Sequence, residues 1–205
     1  MKKYFKKDLS NKFPTKDITY DDKKNKLPLS TSKKKKRIVD LGNGVKFGSY
    51  DIPIIAGPNG VESHKLMLDV AKCLVKNKIK IIRGHAYKPL TFPYRSSKYK
   101  ESKNQGMDIM DDIKNSFKLK VVTEITEIRY LDRVCKTADV LQIGSRNMQN
   151  LELLKECALT KKPLILKRHF GASLRDMLGA AEHILIEGNE KLILCERGVS
   201  IPHTH

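Results

Sequence analysis

The sequence has few cysteines and no long apolar run. The four cysteines are widely spaced and include no Cys-x-x-Cys pair: Cys73, Cys135, Cys157 and Cys195. This spacing is typical of reduced, mostly buried thiols, and it predicts a cytoplasmic protein. No apolar stretch reaches the roughly 20 residues that a membrane-spanning helix needs, so we expect no membrane partner.

Acidic residues are also scarce, at 23 against 41 Lys and Arg, which gives a formal net charge of +18. Residues 1–37 hold fourteen of the basic residues against four Asp, a net of +10, and end in the basic run Lys33–Arg37. Because this segment has few large apolar residues, we predict a flexible tail. A nucleic-acid-binding arm is the alternative. We favour the solvated tail because no aromatic pattern for base stacking accompanies the charge.

The remaining residues, 38–205, are enough for one domain, and they alternate between short apolar runs and helical patterns. The turn Gly42-Asn43-Gly44 within Ile38–Gly48 predicts a small β-hairpin. Six apolar runs then predict strands buried on both faces, because each run is continuous rather than alternating. They are Ile52–Ala56, Lys80–Arg83, Leu119–Ile125, Val140–Ile143, Pro163–Lys167 and Leu192–Cys195. Helical patterns between them predict an α/β fold with a parallel sheet.

The clearest helical pattern is Leu174–Glu187. Ser173 stands directly before it and Asp176 follows three residues later, which is close to a capping box. Gly188 stands where helices commonly end in a left-handed residue. The pattern therefore predicts both ends of this helix.

Small and cationic residues follow the predicted strands. Gln142–Asn150 joins a strand to a helical pattern, and its Gly144, Ser145 and Arg146 can form an anion site from free amides at a helix start and a guanidinium. An ordinary loop with a solvated Arg is the alternative. Other predicted strands end near cations too, and the carboxyl ends of parallel strands meet on one side of a sheet. We therefore predict one site for a strongly anionic ligand, lined by Arg83, Lys88, Arg146, Lys167 and Arg197.

Ten short runs, in this order, resemble type I 3-deoxy-7-phosphoheptulonate (DAHP) synthase, and more broadly the superfamily that includes 3-deoxy-manno-octulosonate 8-phosphate synthase. They are Ile55–Pro58, Glu62-Ser63, Arg83-Gly84, Lys88-Pro89, Thr123-Glu124, Gln142–Asn150, Leu166–Arg168, Ala180–Glu182, Glu187–Asn189 and Leu194–Gly198. The resemblance implies a (β/α)8 TIM barrel. It also implies the condensation of phosphoenolpyruvate with erythrose 4-phosphate, a phosphorylated aldose, in aromatic amino acid biosynthesis.

The resemblance also implies roles for the predicted site residues. Arg146 and Arg197, with the amides near Ser145, hold the phosphate of phosphoenolpyruvate. Lys88 and Lys167 meet its carboxylate. Lys88 is also the catalytic acid that protonates the aldehyde oxygen. Two further substrate-binding residues are implied, namely Arg83 and Thr91.

The sequence departs from the family pattern at the metal site and at the aldose site. Metal-dependent members have Cys where this chain has Asn59, and an amide is a poor ligand for a transition metal. We therefore expect no metal cofactor. Leu90 replaces an Arg that binds the aldose phosphate in the heptulosonate branch. Arg95 is a candidate substitute for it, and a solvated loop Arg is the alternative. His85 and His169 stand where the family usually has Gly, and we expect them to crowd the site or to add a titratable group; local sequence drift is the alternative for both.

The last departure is length, since the sequence contains about six of the eight βα units that the resemblance implies. We interpret 38–205 as a partial barrel domain that lacks the family's later metal ligands. The pair His203 and His205 is more simply interpreted as part of an unrelated tail. An incomplete barrel has open edges, so we expect a homo-oligomer or association through those edges and no synthase activity from this chain alone. An octulosonate-type synthase and a non-catalytic phospho-ligand-binding remnant are the alternatives.

Overall fold

The computed structural model describes residues 37–88 and 101–198. The predicted flexible tail, except Arg37, lies outside the described residues. So do the sequence predictions for Leu90, Thr91 and Arg95, and the pair His203 and His205.

The predicted hairpin is confirmed as β1 (Val39–Gly42) paired antiparallel with β2 (Val45–Phe47). Its turn residues Gly42, Asn43 and Gly44 all have positive φ, at 77°, 53° and 76°. Such a turn requires residues that tolerate the left-handed region, which is why the Gly-Asn-Gly sequence predicts it.

Six parallel strands follow, and each is hydrogen-bonded to the next in chain order. They are β3 (Ile55–Ala56), β4 (Ile81–Arg83), β5 (Lys120–Ile125), β6 (Val140–Ile143), β7 (Leu164–Lys167) and β8 (Leu192–Cys195). The sheet curls into a half-barrel of the TIM type, so the predicted fold class is confirmed. Within the described residues, the outer edges of β3 and β8 have no paired strand.

Five α-helices connect the strands. They are α1 (His64–Lys76), α2 (Lys103–Phe117), α3 (Leu131–Thr137), α4 (Leu151–Leu159) and α5 (Leu174–Ile186). The predicted capping box on α5 is present: Ser173 Oγ accepts from the Asp176 amide at 3.1 Å, and the Asp176 carboxylate accepts from the Ser173 amide at 2.8 Å. Gly188 has φ 75° just beyond the helix, as predicted. No helix among the described residues is long and apolar enough to cross a membrane.

Alternate residues of each strand face opposite sides of the sheet. Ile81, Val122, Val140 and Ile165 form one buried cluster with Val39, Leu41 and Val45 of the hairpin, so the hairpin covers the inner face of the curled sheet. The residues next to them in the strands pack against the helices on the outer face instead. The two faces are therefore both apolar, which explains the continuous hydrophobic runs of the sequence.

Two details differ from the sequence predictions. The first strand is shorter than expected, because Ile52 is 89% exposed and Ile54 is 58% exposed on the approach to β3. All four cysteines are free, but among them only Cys157 is buried. The prediction of mostly buried thiols is therefore wrong, since Cys73 lies on the solvent side of α1 and the others lie at partly covered positions.

Candidate active site

Polar residues form the layer above the apolar inner face of the sheet. Arg83, Glu124, Gln142 and Lys167 each stand two residues after one of the inner-face residues of β4 to β7. Because side chains of a strand alternate between faces, these four share that inner face at the carboxyl end. The strands therefore bring cationic and anionic groups together at the carboxyl end of the half-barrel, which is where ligands bind in parallel α/β folds.

A cavity of about 390 Å³ opens at this end. Its lining contains all five cations that the sequence analysis grouped together, and also Ser145. The lining residues are Asn59, Arg83, Lys88, Glu124, Gly144, Ser145, Arg146, Lys167 and Arg197. Five cationic side chains face a single carboxylate there, so the cavity favours a ligand with several negative charges.

The turn after β3 is pressed against Arg83. Arg83 Nη2 donates to the Gly57 carbonyl oxygen at 3.4 Å. Gly57 has φ 141°, and a Cβ at this position would lie 2.1 Å from the Arg83 carbonyl oxygen. Only glycine allows so close an approach, and Asn59, two residues further on, lines the cavity.

The loop that carries Lys88 is anchored by its neighbours. The Lys88 amide donates to Glu101 Oε1 at 2.9 Å. Tyr87 stacks on Tyr130 with ring centroids 4.1 Å apart, and its hydroxyl donates to Asn104 Oδ1 at 2.6 Å. These contacts hold the chain up to the Lys88 amide, which places the base of its side chain at the cavity.

The stretch Gln142–Asn150 joins β6 to α4, as predicted, and contains a 3₁₀ turn that was not predicted. Ser145–Asn147 form a 3₁₀ turn, and α4 begins only at Leu151, where the Asn150 side chain accepts from the Leu153 amide at 3.2 Å. The amides near Ser145 therefore belong to the 3₁₀ turn before α4, and their role in binding an anion stays a prediction. Arg146 itself reaches the cavity as predicted.

Glu124 lines the cavity without a role predicted from the sequence. Burial raises the pKa of its carboxyl, while the charges of Lys167, Arg146 and Lys88 and a hydrogen bond from Gln142 act in the opposite direction. A signal for Glu124 was present in the sequence, since it stands two residues after Val122 in a strand between two cation-bearing strands. The alternation of side chains along that strand could have placed it beside them.

Glu124 is held in place partly by the absence of a side chain at Gly144. A Cβ added at Gly144 would lie 2.0 Å from Glu124 Oε1. Replacing Gly144 by Ala should therefore displace the Glu124 carboxylate and change the affinity for inorganic phosphate about threefold or more. We expect little change in folding stability, because the atoms that the new Cβ would meet belong to a side chain rather than to the backbone. Isothermal titration of inorganic phosphate checks this, with Gly179→Ala as the control, since a Cβ there meets nothing within 4 Å. Identical phosphate affinity in the Gly144 variant and the control would contradict it.

The two histidines do not crowd the cavity, so that expectation is wrong. His169 stacks on Phe170, with centroids 4.3 Å apart, outside the cavity lining. His85 is 2% exposed and lies beneath the lining. Burial, and then the charges of Arg83, Lys167 and Lys88, lower the pKa of His85 to about 3. The ring is therefore neutral at physiological pH and adds no charge to the site.

The model of the DAHP synthetase I family matches residues 29–204 of this sequence. The chain belongs to the DAHP synthetase I family. A phospho-2-dehydro-3-deoxyheptonate aldolase of Thermotoga maritima is 39% identical over 162 residues, which cover 79% of this chain and 47% of that protein. A 2-dehydro-3-deoxyphosphooctonate aldolase of Hahella chejuensis is 29% identical over 175 residues, covering 78% and 61%.

Solved structures agree with this membership. The crystal structure of the Thermotoga maritima DAHP synthase superimposes with a TM-score of 0.74 at 37% identity, covering 82% of this chain and 47% of that one. A truncated form of a Thermotoga maritima 3-deoxy-D-arabino-heptulosonate 7-phosphate synthase gives 0.71 at 34% identity, covering 82% and 59%. The chain thus spans about half the length of the DAHP synthetase relative that it matches at 39% identity.

The residues present do not fit the divalent metal that the family resemblance implies. Among the lining residues only Asn59, Glu124 and Ser145 carry side-chain oxygens, and none carries sulfur or imidazole. The described residues contain no group of three His, Cys, Asp or Glu that could hold a metal ion. The five cations of the cavity would also repel one.

We therefore expect less than one tightly bound Mn, Fe or Zn per chain after purification and dialysis. Elemental analysis of the dialysed protein measures this directly. Asn59→Cys is the informative comparison, because a single thiolate without companion ligands should still fail to hold a stoichiometric ion. One tightly bound ion in the unmodified chain would overturn this expectation.

Proposed function

We propose that this chain provides the phosphoenolpyruvate site of an enzyme that condenses phosphoenolpyruvate with erythrose 4-phosphate, giving 3-deoxy-7-phosphoheptulonate and inorganic phosphate. The observation that carries the proposal is the cavity, where five cations converge at the carboxyl end of the curled sheet in a DAHP synthetase family member. Phosphoenolpyruvate carries a phosphate and a carboxylate, which this excess of positive charge suits. The reaction belongs to the shikimate pathway, and we propose that it takes place in the cytoplasm.

Each lining cation has a role in this proposal. Arg146 and Arg197, with the amides near Ser145, bind the phosphate, since guanidinium groups pair with it through two hydrogen bonds. Lys88 and Lys167 bind the carboxylate, and Arg83 supports them. Thr91 is a further proposed substrate contact.

The chemistry then proceeds between the two bound substrates. Carbon 3 of phosphoenolpyruvate attacks the aldehyde carbon of the aldose, and Lys88 donates a proton to the aldehyde oxygen as negative charge develops on it. Water adds at carbon 2, and inorganic phosphate leaves. The fixed cations stabilise the charges that develop in the transition state, and stabilisation of this kind commonly lowers the barrier more than any other single effect.

An octulosonate-type synthase is the second candidate. It is favoured by Asn59, which lines the cavity, because the resemblance implies Asn at this position in metal-independent members of the octulosonate branch and Cys in metal-dependent members. Relatives such as the Hahella chejuensis protein also favour it. The eight-carbon product requires a five-carbon aldose phosphate in addition to the three carbons of phosphoenolpyruvate. Comparing phosphate release with erythrose 4-phosphate and with a five-carbon aldose phosphate distinguishes the two candidates.

Binding and turnover test different parts of the proposal. Calorimetry with phosphoenolpyruvate tests the site, and phosphate release from phosphoenolpyruvate in the presence of an aldose phosphate tests the reaction. Binding without release would favour a non-catalytic, phospho-ligand-binding role. Absence of phosphoenolpyruvate binding would reject the proposed function altogether.

We also propose that the chain associates through the outer edges of its sheet. Leu194 of β8 is 44% exposed and Ile54 beside β3 is 58% exposed, and an unpaired strand edge is a template for pairing with another chain. Sedimentation analysis of the purified chain should then reveal a dimer or larger oligomer. A stable monomer at micromolar concentration would contradict this proposal.

A further inference from the structure

His85 makes a contact that determines where its ring carries a proton. The backbone amide of Glu124 donates to His85 Nδ1 at 2.8 Å. A backbone amide can only donate, so Nδ1 must be the acceptor and must be unprotonated. A neutral imidazole carries one hydrogen, which therefore lies on Nε2. An imidazolium would place an N–H on Nδ1 against the N–H of Glu124, so this contact favours the neutral ring.

The Nε2–H group of His85 points toward the side chains of Glu124 and Gln142. Nε2 lies 3.9 Å from Glu124 Oε2 and 3.4 Å from Gln142 Nε2. Gln142 Nε2 itself donates to Glu124 Oε2 at 3.3 Å. Gln142 thus donates to this carboxylate oxygen, while the His85 donor faces the Gln142 amide nitrogen, itself a donor, and stays 3.9 Å from the oxygen, beyond hydrogen-bond distance. A shift of less than about 1 Å would bring the His85 donor within normal hydrogen-bond distance of it.

The arrangement depends on the charge of Glu124. If Glu124 is ionised, both Gln142 and His85 can donate to it. If Glu124 is protonated, its hydroxyl needs an acceptor, and the Gln142 oxygen can serve only after the Gln142 side-chain amide turns over. The His85 Nε2–H group then donates to that same Gln142 oxygen. The Gln142 amide nitrogen turned toward Glu124 matches the ionised carboxylate, and the turned-over amide matches the protonated one.

We propose that His85 is a positioning residue of the cavity, which as a neutral donor holds the Glu124 carboxylate ionised and fixed among the cations. The inference deepens the proposed function and rests on it for its relevance to phosphoenolpyruvate. Charged side chains from every element around the pair contribute, namely Arg83 and Lys88 from β4 and its loop, Arg146 from the turn after β6, and Lys167 from β7. A neutral donor stabilises Glu124 without adding a sixth positive charge. The carboxylate thus stays available as an acceptor for a ligand hydroxyl group or for water.

The variant His85→Asn separates this role from a purely structural one. An Asn Oδ1 takes the position of His Nδ1 and can still accept from the Glu124 amide, but Asn has no atom at the Nε2 position. The matched control is His64→Asn, since His64 is an exposed residue of α1 paired with Asp112. The measurement is the pH titration of the Glu124 side-chain carboxyl carbon by NMR in isotope-labelled full-length chain, assigned with Glu124→Gln.

We expect the proton affinity of Glu124 to rise about three- to tenfold in His85→Asn, because one donor to the ionised form is lost, and to stay unchanged in His64→Asn. Titration of Glu124 at the wild-type pH in both variants would overturn the proposal. Long-range proton–nitrogen spectra of the wild-type rings provide a test that needs no variant to fold. They should show the Nε2–H form of His85, and an Nδ1–H form would also overturn the proposal.

These measurements do not depend on turnover. If wild type binds no phosphoenolpyruvate by calorimetry, the proposed function fails while the titration of Glu124 still decides the role of His85. If phosphoenolpyruvate binds and Glu124 titrates alike in all three proteins, the proposed function stands and the role of His85 is rejected.

Discussion

Replacing Arg146 by Ala is expected to weaken phosphoenolpyruvate binding by about ten- to a hundredfold. Arg146 lines the cavity and is proposed to form two charged hydrogen bonds with the phosphate, and loss of such contacts typically costs about 1.5–3 kcal/mol. Isothermal titration calorimetry at fixed salt concentration measures the change. Salt must be held constant because exposed charges are screened by it.

Arg175→Ala is the matched control, since Arg175 is an exposed residue of α5 outside the cavity lining. It removes the same charge from the protein and should change affinity less than about twofold. Lys167→Met serves as a second test, because it keeps the aliphatic stem and removes only the ammonium group. Equal affinities of wild type and both cavity variants would show that the cations do not bind phosphoenolpyruvate.

Lowering the pH is expected to reduce the free energy of unfolding, because the buried His85 ring must be neutral in the folded chain. The unfolded chain binds a proton on this histidine below about pH 6.5, whereas the folded chain does so only near pH 3. Stability from the neutral buried ring is therefore complete above pH 6.5 and is lost progressively as the pH falls through that window. The loss is about 1.4 kcal/mol per pH unit, or about 5 kcal/mol in all.

Urea unfolding at several pH values between 7 and 3 measures this effect. His85→Asn is the reference, because its amide does not titrate and keeps the acceptor for the Glu124 amide. The variant is expected to be less stable than wild type at pH 7 but to lose stability less steeply on acidification. Glu124 has a raised pKa, which acts in the opposite direction in both proteins, and the further rise expected in His85→Asn makes the loss of stability in that variant less steep still. Parallel pH profiles for the two proteins would contradict the prediction.

Much of the fold could be predicted from the sequence because its signals are local. Gly42-Asn43-Gly44 specifies a turn by backbone conformation alone, and Ser173 with Asp176 specifies a helix start through hydrogen bonds three residues apart. The grouping of the five cations was predictable for a related reason. Parallel strands end on the same side, so a cation after each strand is sufficient to gather them.

The features of the site that could not be predicted depend on contacts between neighbouring strands, and no local sequence pattern specifies such contacts. The bond from the Glu124 amide to His85 Nδ1 needs the register between β4 and β5, which sets Arg83 opposite Val122. The close approach of Glu124 to Gly144 likewise needs β5 beside β6. The start of α4 at Leu151 followed from its apolar periodicity, whereas the 3₁₀ turn Ser145–Asn147 was not predicted, because three residues of a connection are too few to show a periodic pattern.

The order of the strands in the sheet has a consequence for how the chain acquires its structure during synthesis. Each parallel strand pairs with its immediate predecessor, so every new βα unit leaving the ribosome meets an edge that has already formed. Pairings between neighbouring units span modest chain separations, and such topologies fold faster than those that depend on distant segments. Folding can therefore advance from β3 toward β8 one unit at a time. The anionic-ligand cavity is completed only when Arg197, directly beyond β8, has emerged.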